Sequence, residues 1–235
     1  MKVFTAKIMA VKKISAAMRT YTLEIPSGVS WEPGSHMRVG VEGCWDGHKV
    51  DYSLSRPLSI STRTKDGVLE FSTKIDENPS LFKSLLSHKE VGDTLTIMDI
   101  TNHVHLPFGV PIVLLTMGVG MSSMHALIAD YLETEGTTPI ISLNVAKPDE
   151  HLMTQALVGN PRVKYEWKSN RYAFQQAVAR LLAKPELVET ACFVVVGSDA
   201  FVRSTIETLL EAGVAKEHII LDKSAAQRKS YLPAS

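Results

Sequence analysis

The hydrophobic pattern of this chain changes its period near Pro107, and this change limits the folds open to it. Before Pro107, apolar and polar residues alternate in short runs, such as residues 69–75, and turn residues such as Asp66-Gly67 separate the runs. This alternation is typical of half-buried antiparallel strands. The first half therefore predicts an antiparallel β-barrel or β-sandwich, with one helix over residues 81–86; of the two we expect the barrel.

Beyond Pro107, continuous apolar runs alternate with helical patterns. Buried strands are predicted at residues 112–116, 140–144, 163–167 and 192–196. The helix after the first of these is expected to stop at Gly136, and the helix after the fourth begins with Ser198 or Asp199 as its N-cap. This order predicts a doubly wound α/β domain with a parallel sheet. We expect two domains, 1–107 and 108–235, with a ligand-binding cleft between them, and a loosely held polar tail after Asp222.

Composition excludes several classes of function. The chain has 25 basic and 25 acidic residues, so no net field draws it to nucleic acid or to an anionic membrane. Local basic residues near the N-terminus could dock an acidic protein or simply form a solvated surface: Lys12, Lys13 and Arg19. Two distant cysteines make no disulfide, zinc or iron–sulfur pattern, and His103 and His105 lack a third metal ligand. With no signal peptide or unbroken membrane span, a cytoplasmic location is expected.

Two short segments have chemistry suited to nucleotides. Gly118-Val119-Gly120 lies between a buried strand and an amphipathic helix. Glycines at such a turn let backbone N–H groups approach a pyrophosphate. In residues 56–61, Arg56 offers a charged fork for a pyrophosphate, and the hydroxyl residues can approach a flat ring. The alternative interpretation of residues 56–61 is an edge strand with one exposed arginine.

The order of these segments resembles the ferredoxin–NADP reductase superfamily over nearly the whole chain. The run Arg56-Pro57-Leu58-Ser59-Ile60-Ser61 is similar to its flavin-binding motif. Four further segments resemble family elements in the same order: residues 33–37, 80–85 with 91–93, 117–124 and 196–201.

The resemblance implies a flavin site in the first domain, holding FAD or, less typically of the family, FMN. Arg56 would contact the diphosphate, Leu58 and Ser59 would lie against the isoalloxazine ring, and Ser59, the catalytic candidate, would lie near N5. The same site would include Pro57, Ile60, Ser61, Thr73, Lys74, Ser80, Leu81 and Phe82. Leu58 stands where the family usually has an aromatic residue.

The resemblance also implies a site for NAD(P)H in the second domain. Its expected residues are Gly118, Val119, Gly120, Ser122, Gly197 and Ser198. The family motifs are altered here, because Met117 replaces a glycine, Ser123 and Ser198 replace prolines, and Val196 replaces a cysteine. Arg171 could contact a 2′-phosphate or could be an exposed residue at a helix start, so the choice between NADH and NADPH stays open.

The implied function is that of a flavin-dependent NAD(P)H oxidoreductase. Electrons would pass from NAD(P)H through FAD to a separate acceptor, because the chain has no cysteines for a cluster. Ferredoxin, flavodoxin and an oxygenase component are the candidate acceptors. The alternative is a diverged flavin- or nucleotide-binding sensor or complex subunit without nicotinamide turnover, and the altered motif residues of the second domain favour it.

Overall fold

The computed structural model describes residues 2–134, 138–151 and 159–232, and the chain divides into two compact units. The barrel unit comprises Met1–Asn102 together with Ser122–Ala126. The α/β unit comprises His103–Met121 and Leu127–Ser235. The predicted helix stop at Gly136 lies outside the described residues.

The barrel unit is built on a six-stranded antiparallel sheet, as the alternating sequence predicted. Its order is β4-β3-β6-β1-β2-β5, with β1 (Val3–Lys13), β2 (Met18–Leu23), β3 (Ser35–Gly40), β4 (Ser55–Ser59), β5 (Leu69–Lys74) and β6 (Thr94–Asn102). The sheet curls until its two edge strands, β4 and β5, approach each other. Where they meet, the Ser61 amide just after β4 donates to the Glu70 carbonyl in β5 at 2.8 Å. One helix, α1 (Leu81–Ser87), follows β5.

Alternate residues of these strands form the barrel core. Tyr21 and Phe71 stack there with ring centroids 5.2 Å apart, and Phe82 from α1 is fully buried in the same cluster. Because successive strand residues face opposite sides, burial of this aliphatic and aromatic set fixes which side chains face outward. Leu58 packs half-buried against this core.

The α/β unit has a five-stranded parallel sheet of order β11-β10-β7-β8-β9. The strands are β7 (Ile112–Met117), β8 (Ile140–Val145), β9 (Val163–Lys168), β10 (Cys192–Val196) and β11 (Ile219–Leu221), and the helices are α2 (Gly120–Thr134), α3 (Arg171–Leu182), α4 (Pro185–Thr190), α5 (Asp199–Glu211) and α6 (Ala225–Arg228). The four predicted strands and the doubly wound class are confirmed, and β11 is an additional short strand.

Helix caps explain where two of these helices begin. The Asn170 side chain accepts a hydrogen bond from the Ala173 amide at 2.9 Å and starts α3. Ser198, one of the two predicted N-caps, accepts from the Phe201 amide at 3.4 Å and starts α5. Each cap satisfies a backbone N–H that has no partner inside its helix. Phe174 from α3 and Phe201 from α5 then meet in the core, with ring centroids 5.3 Å apart.

The C-terminal segment, residues 222–232, is held to the α/β unit and is not the loose tail that its polar sequence predicts. Arg228 Nη2 donates to the His103 carbonyl at 2.9 Å and to the Leu221 carbonyl at 3.1 Å. The Arg203 guanidinium lies 4.5 Å from the centre of the Tyr231 ring. Across the described residues, every helix is too short or too polar to cross a membrane.

Candidate functional site

The segment predicted to bind a flavin begins with β4, at the edge of the barrel sheet. Arg56 pairs with Val39 across β3, and Ser59 pairs with His36. Arg56 Nη1 donates to two carbonyls of its own turn, those of Tyr52 and Ser55, each at 2.7 Å. Those bonds fix the position of the guanidinium beside the strand. The alternative interpretation of this segment was an edge strand, and β4 does lie at the edge of the sheet.

The next two residues of the motif turn toward the rest of the barrel. Ile60 is fully buried in the core, so only its backbone is available to a ligand. Ser61 donates through Oγ to the Glu70 carbonyl at 3.0 Å, which connects the end of β4 to β5. Pro57 is exposed, whereas Leu58 and Ser59 are half-buried.

The other predicted flavin residues lie close to this strand. Helix α1 lies against the Tyr52–Leu54 turn that leads into β4. Asp76 connects the end of β5 with α1, because its carboxylate lies 3.8 Å from Lys74 Nζ and 3.9 Å from Lys83 Nζ. Thr73 is buried beside Lys74. The structure therefore brings the three predicted segments of the barrel unit into one region.

At the start of α1, Ser80 has an unsatisfied polar atom. Its Oγ is buried and makes no hydrogen bond within the described residues, and it does not cap the helix it precedes. Leu81 next to it is 55% exposed, whereas Phe82 is fully buried. A buried hydroxyl without a partner costs free energy, so it marks a position where a ligand or water oxygen fits.

Sequence reasoning missed two residues of this region, Arg38 and Tyr52. Arg38 in β3 pairs with Pro57, and its guanidinium lies 4.7 Å from the centre of the Tyr52 ring. That ring is 62% exposed. Arg38 also lies 3.7 Å from Asp99. The sequence signal available was the alternation of β3, which puts Arg38 on the side opposite Met37 and Val39.

In the α/β unit, the two predicted glycine turns follow neighbouring strands. Thr116 of β7 pairs with Val196 of β10, so the turns at Gly118–Gly120 and Gly197–Ser198 leave the same edge of the sheet. Gly118 has φ of 54°, a left-handed conformation that favours glycine. Its amide donates to the Val145 carbonyl at 2.8 Å.

The backbone is closely packed at Gly120 of the first turn and at Gly197 of the second turn. A Cβ on Gly120 would lie 3.0 Å from the Val196 carbonyl oxygen. A Cβ on Gly197 would lie 2.6 Å from the Phe201 ring and 3.0 Å from Met117 Cβ. Val119 completes the first turn, and Ser122 lies buried in the first turn of α2. Five of the six residues predicted for nucleotide binding are therefore grouped at two adjoining turns, and Ser122 lies in the first turn of α2.

Buried polar groups support the first turn from below. Asn144 Nδ2 in β8 donates to Thr116 Oγ1 at 2.9 Å. Thr116 Oγ1 in turn donates to Met121 Sδ at 3.4 Å. Asn144 Oδ1 is buried and accepts no hydrogen bond among the described residues. These contacts cross from β8 to β7 and then to α2, so they hold the strand end and the helix start together.

Asp199 lies beside the second turn, and its carboxylate is already engaged. Tyr231 Oη donates to Asp199 Oδ1 at 2.6 Å, and Lys223 Nζ lies 3.5 Å from the same oxygen. The hydrogen bond from Tyr231, followed by the charge of Lys223, lowers the pKa of Asp199 below its ordinary value. The negative charge that the sequence places at the start of α5 is therefore partly neutralised by the C-terminal segment.

By fold, the chain has an antiparallel barrel unit and a doubly wound parallel sheet. No family model matches the sequence, and no curated protein sequence matches it. Solved structures do match, and their fold confirms the resemblance expected from the motifs.

Three solved structures illustrate the match, each covering 94% of this chain. A ferredoxin NADP+ reductase from Neisseria gonorrhoeae with bound FAD and NADP has a TM-score of 0.72 at 18% identity over 98% of its length. The cytochrome b5 reductase domain of Ulva prolifera nitrate reductase gives 0.74 at 17% over 97% of its length. A cytochrome P450 reductase of Amycolatopsis gives 0.78 at 16% over 69% of its length. At these identities the similarity is one of fold.

Proposed function

We propose that this protein is a flavin-dependent NAD(P)H oxidoreductase that passes electrons from NAD(P)H through FAD to a separate acceptor. The observation that carries the proposal is the pair of crowded glycine turns at Gly120 and Gly197. Close backbone approach at the carboxyl ends of adjacent parallel strands is the arrangement that binds dinucleotides in doubly wound sheets. The N. gonorrhoeae reductase of the same fold contains both FAD and NADP.

The residues of the barrel unit fit a flavin nucleotide. The buried, unpartnered Oγ of Ser80 offers a donor for a phosphate oxygen. Arg56 is anchored through one guanidinium nitrogen, which leaves its other N–H groups for a diphosphate. Leu58 provides an apolar face, and the half-buried Ser59 provides a hydroxyl for the polar edge of the ring. Thr73 and Lys74 complete the region from β5.

A bound flavin would supply the hydride and single-electron chemistry that amino-acid side chains lack. The chain's own residues would bind and orient the cofactors. In the α/β unit, the backbone of the Gly118–Gly120 turn at the start of α2 would approach the nucleotide phosphates. Gly197 and Ser198 would lie along the nucleotide because no side chain projects from Gly197.

The acceptor is proposed to be another protein or a diffusible molecule. The sequence has two cysteines, Cys44 and Cys192, and both are buried, whereas an iron–sulfur cluster is commonly held by four cysteines. Ferredoxin, flavodoxin and an oxygenase component remain the candidate protein acceptors. Free, buried thiols also fit the cytoplasmic location proposed for the reaction.

The alternative function is a flavin- or nucleotide-binding sensor, or a complex subunit, without nicotinamide turnover. It is favoured by the C-terminal segment, whose Tyr231 and Lys223 contact Asp199 next to Gly197. If that segment stays in place, access to the second turn is reduced and the barrel unit could still bind a flavin.

The absorption spectrum of the purified protein tests both candidates. We expect a yellow protein, or one that turns yellow on reconstitution with FAD. Its flavin absorbance at about 450 nm should be lost when NADH or NADPH is added in the absence of oxygen. Bound flavin that stays oxidised with both nucleotides would favour the sensor. A colourless protein that takes up neither FAD nor FMN would refute the flavin site and, with it, the oxidoreductase.

A further inference from the structure

A cavity of about 330 Å³ lies in the barrel unit, beside the start of β1. Its volume is at the lower end of the range of small-molecule sites. None of its lining residues belongs to the segments predicted to bind a flavin or a nucleotide, so the proposed function does not account for it. Five side chains give the cavity its chemical character, two of opposite charge and three apolar: Lys2, Asp99, Phe4, Val29 and Ile100.

A β-bulge explains why Asp99 and Ile100, which are consecutive in β6, line the same cavity. Successive residues of a regular strand face opposite sides of the sheet. The pairing of β3 with β6 shifts its register between His36 and Arg38, so Asp99 and Ile100 both lie opposite Met37. A bulge of this kind changes the direction of a side chain, and here it adds a carboxylate to an otherwise apolar wall.

Asp99 also has an uncommon backbone conformation. Its φ is 51°, and among residues 2–134, 138–151 and 159–232 it is the one non-glycine residue with a left-handed φ. Aspartate and asparagine tolerate this conformation better than most residues. Strained backbone positions are concentrated at functional sites, so the conformation of Asp99 points to a role for its carboxylate.

The carboxylate of Asp99 is accessible and weakly engaged. Its side chain is 46% exposed, and Arg38 Nε lies 3.7 Å from its Oδ2 atom. That distance permits an ion pair but is too long for a hydrogen bond. Since an ionised carboxylate has about four lone-pair positions, Asp99 can accept hydrogen bonds from a ligand in the cavity.

Lys2 brings a positive charge to the same cavity. Val3 of β1 pairs with Met98 of β6, and Lys2 and Asp99 follow one residue beyond this pair on the two neighbouring strands. Among the residues that the structure describes, Asp99 forms its ion pair with Arg38 and not with Lys2. Lys2 is exposed, so its ammonium group is available to a ligand.

The two charges together select the class of ligand. A cation would be attracted by Asp99 but repelled by Lys2, and an anion would meet the reverse. A zwitterion suits both side chains, because its ammonium group can donate to the carboxylate while its own carboxylate accepts from the lysine. The apolar part of the lining favours an apolar body: Phe4 and Ile100 are partly buried against the barrel core, and Val29 belongs to that core.

We propose that this cavity binds a small zwitterion with an apolar body, the chemistry of a free α-amino acid with an aliphatic side chain. The ammonium group of the ligand donates to the Asp99 carboxylate, and its carboxylate accepts from Lys2 Nζ. Its aliphatic part contacts Phe4, Val29 and Ile100.

Three matched probes test the proposal on the full-length protein by NMR titration. L-Leucine carries both charges, 4-methylpentanoate lacks the ammonium group, and 3-methylbutylamine lacks the carboxylate. We expect leucine to bind with a Kd of about 1 mM and to shift the amide signals of Val29 and Ile100. Each single-charge probe should bind at least about fivefold more weakly, because it loses one ion pair and meets one like charge. Equal affinity for the three probes, or no binding of leucine, would overturn the proposal.

Two variants should reverse the order of the probes. Lys2→Met removes the positive charge, so it should weaken leucine binding at least about fivefold and strengthen the binding of 3-methylbutylamine. Asp99→Asn removes the negative charge and keeps a residue that tolerates the left-handed backbone. It should weaken leucine binding and strengthen the binding of 4-methylpentanoate. A change in the shape of the cavity alone would strengthen neither single-charge probe.

Lys7→Met is the matched control for these variants. It removes the same charge from an exposed residue of β1 that does not line the cavity, so it should leave the three affinities unchanged. If Lys7→Met weakens leucine binding as much as Lys2→Met does, the assignment to this cavity is wrong. The assignment is equally wrong if neither Lys2→Met nor Asp99→Asn alters the order of the probes.

Discussion

At the scale of single residues, Gly197 is the most constrained position of the candidate site. Its backbone φ lies outside the left-handed region, so a side chain is excluded by space and not by backbone conformation. The atoms that occupy that space belong to Phe201 and Met117. The sequence motif identified Gly197, but it gave no indication of these two neighbours, since their contact depends on how α5 packs on β7.

The substitution Gly197→Ala should destabilise the α/β unit by about 1–3 kcal/mol, because the new methyl group overlaps the Phe201 ring. Urea denaturation measures this change. Phe201→Leu should relieve part of the overlap, so the double variant should be less destabilised than the sum of the two single variants. Strictly additive effects would mean that Phe201 is not the obstacle.

The substitution Arg56→Ala should weaken flavin binding at least about tenfold, because a charged hydrogen bond to a phosphate is worth about 1.5–3 kcal/mol. Titration of the apoprotein with FAD, followed by flavin fluorescence, measures the affinity. The matched control is Arg63→Ala in the same unit, where the guanidinium is paired with Asp66 at 2.8 Å. An unchanged Kd for Arg56→Ala would refute the role proposed for Arg56.

His125 in α2 should make stability depend on pH. Its Nε2 is buried without a hydrogen-bond partner in the described residues, and burial lowers its pKa from 6.5 to about 4. The unfolded chain therefore binds more protons than the folded one between these values, so stability falls as pH decreases through that window.

The free energy of unfolding of the parent protein should decrease between pH 7 and about 4.5. In His125→Leu this decrease should be smaller by about 2 kcal/mol. Urea denaturation at the two pH values is the measurement. A pH dependence unaltered by His125→Leu would contradict the burial of this side chain.

At the scale of secondary-structure elements, the sequence predicted long and strongly patterned segments well. The run Cys-Phe-Val-Val-Val predicts β10 at its observed bounds, Cys192–Val196, because five consecutive apolar residues fit only a strand buried on both faces. β11 has three residues, Ile219–Leu221, too few to show any periodicity. Its place in the sheet depends on pairing with β10, which local sequence does not encode.

The C-terminal segment shows the same limit more clearly. Its polar composition predicts a loose tail, but Arg228, Tyr231 and Lys223 each contact groups that are distant in sequence.

Ser198 and Asp199 were equivalent candidates for the N-cap of α5. Ser198 takes that position, since Asp199 is held by Tyr231, a residue 32 positions away.

The substitution Tyr231→Phe should raise the pKa of Asp199 toward its ordinary value, because the largest cause of its lowering is the hydrogen bond from Tyr231. NMR titration of the Asp199 carboxyl carbon measures this. The loss of stability should be at most about 1 kcal/mol, since Asp199 is exposed to solvent and Tyr231 is only half-buried.

A carboxyl group with a lowered pKa contributes stability above its ordinary pKa and loses it as pH falls further. The difference between Tyr231→Phe and the parent protein should therefore disappear in acid, once the pH falls below the lowered pKa of Asp199. Tyr172→Phe, at a tyrosine that is 72% exposed, is the control and should have no effect on Asp199. A pKa of Asp199 that Tyr231→Phe leaves unchanged would refute the contact.

At the scale of the whole molecule, charge is balanced overall but uneven locally. Lys12 and Lys13 are exposed near the end of β1, whereas Arg19 beside them is engaged with the Ser87 carbonyl. The sequence identified the three basic residues, but it did not indicate that Arg19 is hydrogen-bonded to α1. The two lysines are thus the free charges of this group that an acidic acceptor protein could contact.

If the proposed function is correct, Lys12→Glu combined with Lys13→Glu should slow electron transfer to an acidic ferredoxin and weaken its dependence on salt. Reduction of ferricyanide, a small acceptor, should be unaffected. Reversal of Arg180 and Lys184, two exposed basic residues of the α/β unit, removes the same charge and serves as the control. Equal effects of the two double variants would show that net charge, and not this surface, matters.

The contact between Arg228 and His103 has a consequence for synthesis on the ribosome. It joins residues 125 positions apart, near the first and the last described residues of the α/β unit, whereas strands β1–β6 all lie within the first 102 residues. Translation proceeds at about 5–20 residues per second, and domains fold largely in order of emergence. The barrel sheet can therefore form while the rest is still being made. The α/β unit can gain the contact between Arg228 and His103 only after residue 228 has been made, so until then its first segment lacks this hydrogen bond.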